Sequence, residues 1–303
     1  MAETHDAAAE VVETARGAVE FARRGEPPYV VLLHGTPGGH PASVLGEPFE
    51  AAGFGTITPS RPGYLRTPLA TGRTFAEQAD AVAALLDALA IDAAAVYAIS
   101  GGGPSAIELA ARHPERVRAL ILEVAVSETY KPEFSDLAVR LLTSRTVMWL
   151  QGQIMRRLPR LAVSQLLQTE STLDGTDRKR VRADILASPE KLAYLRRFMA
   201  SVPRFDLLRT GFDNDLEQFR AIERLPRNDV RCPTLVVHGT HDRDVPFHHG
   251  ENAAREIPGA ELHRVEKGWH LLALGDGAEG CARAEIAFLR KHLAPQPPAG
   301  TAP

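Results

Sequence analysis

The sequence predicts an α/β fold: a mostly parallel eight-stranded sheet with helices on both faces and an inserted helical segment. Short apolar runs of strand length recur with helical stretches between them, the pattern of a parallel sheet buried on both sides. That rhythm stops from Ser127 to Leu225, where the chain reads as helical throughout, and resumes after it. Within the first half of the rhythm, Ala98-Ile99-Ser100-Gly101-Gly102-Gly103-Pro104 places a serine among small residues where an apolar run hands over to helical spacing.

The elements follow in order. Val11-Val12-Glu13-Thr14 and Gly17-Ala18-Val19-Glu20-Phe21-Ala22 read as half-exposed strands joined by a short turn. Tyr29-Val30-Val31-Leu32-Leu33 is a buried strand ending at His34-Gly35-Thr36-Pro37-Gly38-Gly39. Gly55-Thr56-Ile57-Thr58 follows, ending at Ser60-Arg61-Pro62-Gly63-Tyr64. Thr74 and Glu77 are spaced as a capping box for a helix whose buried face is marked by Val82, Leu85, Leu86 and Leu89. Ala94 to Ile99 is a strand, and Pro104 opens a helix in whose first turn a missing N–H costs nothing. Val117-Arg118-Ala119-Leu120-Ile121-Leu122 is another central strand. Inside the insertion, Thr176 before Asp177 and Ser188 before Pro189 are predicted helix starts. Thr234-Leu235-Val236-Val237, ending at His238-Gly239, and Glu261-Leu262-His263-Arg264-Val265, ending near Trp269-His270, close the series. The expected organisation is a core from residues 1–126 and 226–293, a helical lid over 127–225, and a disordered tail at 294–303 carrying Pro295, Pro297, Pro298 and Pro303.

Composition narrows the function classes. At 303 residues the chain can bury one large core, and a net charge of −3 gives no reason to expect nucleic acid or an anionic membrane as partner. The insertion is modestly basic, with 17 Lys and Arg against 13 Asp and Glu. Two cysteines, Cys232 and Cys281, have no metal-ligand spacing, and a reduced cytoplasmic setting is expected. The first ten residues are polar and acidic, unlike a secretory signal, and no apolar run reaches transmembrane length. A small-molecule substrate is expected, with no cofactor and no metal; the oligomeric state is not legible.

Turning a strand sharply into a helix strains the residue at the corner, so positions two before and two after it must be small; Ala98 and Gly102 meet that demand around Ser100. No G-x-x-x-x-G-K-[ST] is present, and no G-x-G-x-x-G follows this strand with the spacing of a nucleotide loop, which leaves a structural turn as the alternative. A serine hydroxyl is a weak nucleophile, and it needs a histidine to take its proton and an acid to hold that histidine. Catalytic groups on an open parallel sheet sit beyond the carboxyl ends of strands. Two such loops remain after Ser100. His238-Gly239-Thr240-His241-Asp242-Arg243-Asp244 offers Asp242 as acid, with Asp244 and Glu123 as competitors; Lys267-Gly268-Trp269-His270 offers His270 as base. His241, His248 and His249 make no H-E-x-x-H pattern with their acidic neighbours and are predicted to be loop surface residues, whereas Trp269 either lines a pocket or packs on the sheet.

Taken together, His34-Gly35-Thr36-Pro37, the Ser100 turn, Asp242 and His270 resemble the α/β-hydrolase superfamily, in this order and over residues 11–293. The Ser100-Gly101-Gly102-Gly103-Pro104 and Ser60-Arg61-Pro62-Gly63-Tyr64 pieces resemble a bacterial branch of it. The His34 to Gly39 loop also resembles that of proline iminopeptidases, which usually carry tryptophan after the nucleophile where this chain has Gly101. The resemblance implies a nucleophile at Ser100, an acid at Asp242, a base at His270, and an oxyanion hole built from the backbone N–H groups of Gly101 and Thr36. His34 is expected only to brace its loop. The implied activity is hydrolysis of an ester, lactone or related acyl bond; amide or peptide cleavage, carbon–carbon bond hydrolysis, and a non-catalytic ligand-binding role on the same scaffold are the alternatives.

Overall fold

The computed structural model describes residues 9–131, 147, 150, 153, 154, 157–201 and 205–293. Eight strands form one sheet: β1 (Glu10–Thr14), β2 (Gly17–Arg24), β3 (Tyr29–Leu33), β4 (Gly55–Pro59), β5 (Ala94–Ile99), β6 (Val117–Glu123), β7 (Thr234–Gly239) and β8 (Glu261–Val265). Their order across the sheet is β1-β2-β4-β3-β5-β6-β7-β8. β1 and β2 form an antiparallel hairpin, β2 runs antiparallel to β4, and β3 through β8 are parallel.

Burial follows position in the sheet. β3, β4 and β5 are buried at every residue, as continuous apolar runs covered on both faces require. The two outer strands, β1 and β8, are mostly exposed. β2 runs two residues past its predicted end because Arg23 and Arg24 pair with Ile57 and Thr56 of β4, and backbone pairing overrides their charge. β7 likewise continues through His238 and Gly239, which pair with Arg264 and Val265.

Helices cover both faces. α2 (Phe75–Ala88) starts at the predicted capping box: the Glu77 N–H donates to Thr74 Oγ1 at 3.2 Å, and the Glu77 carboxylate accepts from the Thr74 N–H at 2.9 Å. With α3 (Gly103–Arg112) and α8 (His248–Glu256) it lies over one core, which contains Leu85, Leu86, Ile107, Leu109 and Ala253. α1 (Glu47–Ala51) and α9 (Ala278–Leu293) lie over the other, with Phe49, Phe288 and Leu289.

Between β6 and β7 the described elements are helical: α4 (Pro159–Glu170), α5 (Gly175–Ala187), α6 (Pro189–Ala200) and α7 (Arg209–Ala221). α5 is capped by Asp174, whose carboxylate accepts from the N–H groups of Thr176 and Asp177 at 2.8 Å each, so the helix begins ahead of the predicted Thr176 start. Ser188 caps α6 with Pro189 in its first turn, as predicted. Val163, Leu167, Val181, Ile185 and Leu195 of α4 to α6 form a third core around Trp269 and Leu274, while Leu216 and Phe219 of α7 join the core under α2 and α3. The expected tail at 294–303 and parts of the 127–225 segment lie outside the described residues. Among the described residues no helix is long and apolar enough to cross a membrane.

Candidate active site

The chain order reverses between β4 and β5, which flank β3 on opposite sides. Such a switch point opens a crevice at the carboxyl ends of the strands. Leu33 of β3 pairs with Ala98 of β5, so the loops that follow, carrying Thr36 and Ser100, start side by side.

Ser100 is a half-buried residue with φ 51°, in the left-handed region that a non-glycine residue occupies only under constraint. The constraint is visible around it. A Cβ on Gly102 would collide with the carbonyl oxygen of Leu33, one on Gly103 with that of Val126, and one on Gly101 with Thr36 Oγ1. The three glycines let the turn sit against β3 and the loop after β6, and the Val126 N–H donates to Ser100 O at 2.9 Å. Gly35 lies beside the turn as well: a Cβ there would be 3.2 Å from Ser100 Cβ and 3.6 Å from its Oγ.

Asp242 and His270 meet although 28 residues apart. His270 Nδ1 lies 2.9 Å from Asp242 Oδ2, and Asp242 Oδ1 accepts from the Val245 N–H at 2.9 Å. Both side chains are buried. The other ring nitrogen of His270, Nε2, lies 3.3 Å from Asp244 Oδ2, and Tyr130 Oη donates to Asp244 Oδ1 at 2.8 Å. Burial opposes charge on the His270 ring, but Asp242, Asp244 and Glu170 outweigh it and push its pKa up to about 10. Among the described residues no hydrogen bond joins the Ser100 hydroxyl to His270. The structure thus brings Asp242 and His270 together, and it turns the free nitrogen of His270 to Asp244 instead of Ser100. Glu123 does not take the acid position: it accepts from Tyr97 Oη at 2.9 Å, beside the buried Glu285.

The helical stretch reaches this site. Ser171 bridges to Asp242, the Thr172 N–H donates to His241 O at 2.9 Å, and Glu170 O accepts from the N–H groups of Arg243 and His270 at 3.3 and 3.4 Å. Burial, followed by the charge of Asp244, raises the Glu170 pKa. Trp269 is fully buried in the third core against α4 to α6, so it neither lines a pocket nor packs on the sheet.

Beneath the Thr36 loop lies a buried charge cluster that local sequence pattern does not reveal. Arg61 donates to Asp215 of α7 from both terminal nitrogens, at 3.0 Å to Oδ1 and 2.6 Å to Oδ2. Asp215 Oδ2 also accepts from Tyr64 Oη and from Thr36 Oγ1, at 2.6 Å each. Arg61 is 1% and Asp215 0% exposed. Asp215 sits on the stripe Phe212-Asp215-Leu216-Phe219, and an acid on a helix face otherwise apolar was the available signal.

Glu128, His248 and His249 bring three possible metal-ligand atoms within 4.8 Å of one another. His249 is buried on α8, a correction to its predicted surface position, because it packs beneath Ser127, whose N–H it accepts at Nδ1 at 3.2 Å. Burial, with His248 next, holds its pKa down to about 3. The neutral ring therefore spends its one lone pair on that amide, and the cluster is not a ready cation site.

Comparison with known proteins agrees with this architecture. The sequence model of the alpha/beta hydrolase fold family matches residues 28–276. An alpha/beta hydrolase fold protein from Nakamurella multipartita superposes with a TM-score of 0.88 at 37% identity, covering 93% of this chain and 99% of that one. The chain is 28% identical over 280 residues to a 2-hydroxy-6-oxo-6-phenylhexa-2,4-dienoate hydrolase of Burkholderia cepacia, covering 88% of each. It is 30% identical over 277 residues to a pimeloyl-(acyl-carrier protein) methyl ester esterase of Aromatoleum aromaticum, covering 84% of this chain and 95% of that protein.

Proposed function

The chain belongs to the α/β hydrolase fold family, and from that premise we propose that it hydrolyses an ester, lactone or related acyl bond of a small molecule through an acyl-Ser100 intermediate. The observation that carries this reading is Ser100 itself, held at φ 51° where β5 ends and reachable from the crevice. Strained backbone of this kind persists only where the surroundings over-determine it, and it clusters at active sites.

In the proposed cycle the Ser100 hydroxyl attacks the acyl carbon while its proton passes to His270 Nε2. Asp242 holds the ring at Nδ1 and stabilises the imidazolium. The N–H groups of Gly101 and Thr36 receive the negative oxygen of the tetrahedral intermediate, each donor contributing roughly 3–4 kcal/mol. His270 then gives the proton to the leaving oxygen, and a water deprotonated by the same nitrogen frees the acid and restores Ser100. For this to begin, Nε2 must be neutral and must turn from Asp244 to Ser100; hydrogen bonds of this kind are commonly loose before substrate binds. The 127–225 segment acts as a lid. The contacts of Glu170, Ser171 and Thr172 with the Asp242 and His270 loops support that role.

A second reading rests on the Burkholderia cepacia relative. The compound in its name holds neither an ester nor an amide, so its hydrolysis breaks a carbon–carbon bond beside a ketone. The same serine, base and oxyanion donors would serve that reaction.

A fluorophosphonate probe and an activated aryl ester test the proposal. Wild-type protein should be labelled at Ser100 and release one equivalent of phenol in a burst, and Ser100→Ala should lose labelling and fall roughly 10⁴-fold or more in turnover. Equal turnover by folded Ser100→Ala would refute the acyl-serine route. Comparing aryl esters and lactones with vinylogous diketone acids separates the two readings.

A further inference from the structure

We infer that Arg61 and Asp215 are positioning residues that aim the Thr36 backbone N–H at the oxyanion, an inference that rests on the acyl-Ser100 reading. The bond joining Gly35 to Thr36 is trans and planar, so the Gly35 carbonyl and the Thr36 N–H point in opposite directions across it. Whatever fixes the carbonyl fixes the direction of the N–H.

Gly35 O is held twice. Arg61 donates to it from one terminal nitrogen at 3.2 Å, and His34 donates from Nδ1 at 2.7 Å. The His34 tautomer follows from its other nitrogen, which accepts the Arg61 backbone N–H at 3.0 Å. Burial, followed by the Arg61 charge, keeps the ring neutral. Arg61 Nε also donates to His34 O at 3.0 Å. One guanidinium therefore grips two successive carbonyls of the loop, and the same terminal nitrogen donates to Thr36 Oγ1 at 3.0 Å.

Asp215 completes the arrangement from α7. It fixes the plane of the guanidinium through two hydrogen bonds and accepts the Thr36 hydroxyl. The Thr36 N–H is thus bounded by a pinned carbonyl before it and a pinned side chain after it. Gly35, at the other end of the pinned peptide, lies next to Ser100, whose Cβ would be 3.2 Å from a Cβ added there. Stability alone does not call for this device, since an apolar pair of similar volume commonly holds a fold as well as a buried ion pair does. A planar fork can hold carbonyls at set angles, which apolar side chains and the point charge of lysine cannot.

The test uses full-length protein and an activated aryl ester. Arg61→Lys, Asp215→Asn and the apolar pair Arg61→Leu with Asp215→Leu are compared with wild type for melting temperature, kcat, KM, pH profile and the rate of fluorophosphonate labelling at Ser100. The expected result is a fall in kcat of about 100-fold, the effect of a lost oxyanion donor. KM should stay within about threefold, the acid limb of the pH profile should not move, and labelling should slow in parallel. The apolar pair, folded at or near the wild-type melting temperature yet slow, separates aiming from stability. Asp215→Asn, close to isosteric, gives the same reading if the apolar pair does not fold. Folded variants with wild-type kcat and labelling rate would overturn the inference while leaving the acyl-serine route intact. Absence of labelling and turnover in wild type would instead overturn the route, and the inference with it.

Discussion

His270 presents Nε2 to Asp244 at 3.3 Å, while Asp242 holds the opposite nitrogen at 2.9 Å. A ring facing carboxylates at both nitrogens is held as the imidazolium, with both N–H groups donating. The proposed first step needs the opposite state, a neutral ring free to accept a proton.

That conflict sets the pH dependence. His270 titrates near 10, raised from its ordinary value, so the neutral base is scarce at pH 7 and accumulates as pH rises. In wild type, kcat/KM toward an aryl ester should climb with an acid limb well above 6.5. Asp244→Asn removes one of the raising charges, so its limb should move to lower pH and its rate at pH 7 should increase. A limb at the same pH in both proteins would show that Asp244 does not govern the base.

A second pH effect acts on stability. Burial, then the neighbouring Glu123, pushes Glu285 well above the usual carboxylate range. A raised acid contributes stability that is complete below its unfolded pKa of about 4.5 and is lost as pH rises through the folded value. Glu285→Gln stays neutral throughout. Its urea midpoint should vary less with pH than that of wild type and exceed it at pH 9; a variant less stable than wild type at pH 9 would contradict the assignment.

The glycines after Ser100 should tolerate no methyl group. Gly102→Ala sets a Cβ against the Leu33 carbonyl, a backbone atom in the middle of the sheet with little freedom to withdraw. Chemical denaturation should show a loss of about 1–3 kcal/mol. An unchanged midpoint would mean that β3 and β5 can move apart at the site.

Trp269 ties the helical segment to the His270 loop. It is fully buried among Val163, Leu167, Val181, Ile185 and Leu195. Trp269→Ala should cost about 3–5 kcal/mol, with faster amide exchange in α4 to α6 than in β3 to β6. Uniform exchange across both regions would argue against a local tie.

Much of the architecture was legible in the sequence because local signals and burial agree there. The runs at Tyr29, Ala94 and Thr234 are apolar because both faces of their strands are covered, and Thr74 with Glu77 marks its helix start through contacts only three residues apart. The Ser100 turn was legible because its geometry excludes side chains. Asp242 and His270 could be picked out as residues in loops beyond strand ends, and the structure joins them. Local pattern could not say which way His270 would turn its second nitrogen, since that depends on Asp244 and on Glu170 from α4. Nor could it pair Arg61 with Asp215, 154 residues away. The α5 start was misplaced because Thr176 and Asp174 are both good caps, and only backbone geometry chooses between them.

Asp215 has an implication for how such proteins can be recombined. The helices between β6 and β7 look like an exchangeable module, bounded by strands and, in α4 to α6, packed mostly on one another. Yet one carboxylate of that module neutralises a guanidinium rooted in the loop after β4. A helical segment borrowed from another hydrolase without an acid at this place would strand Arg61 in the interior as an unpaired cation. Chimeras of this chain should therefore succeed when Arg61 and Asp215 travel together, and fail when the boundary is drawn between them.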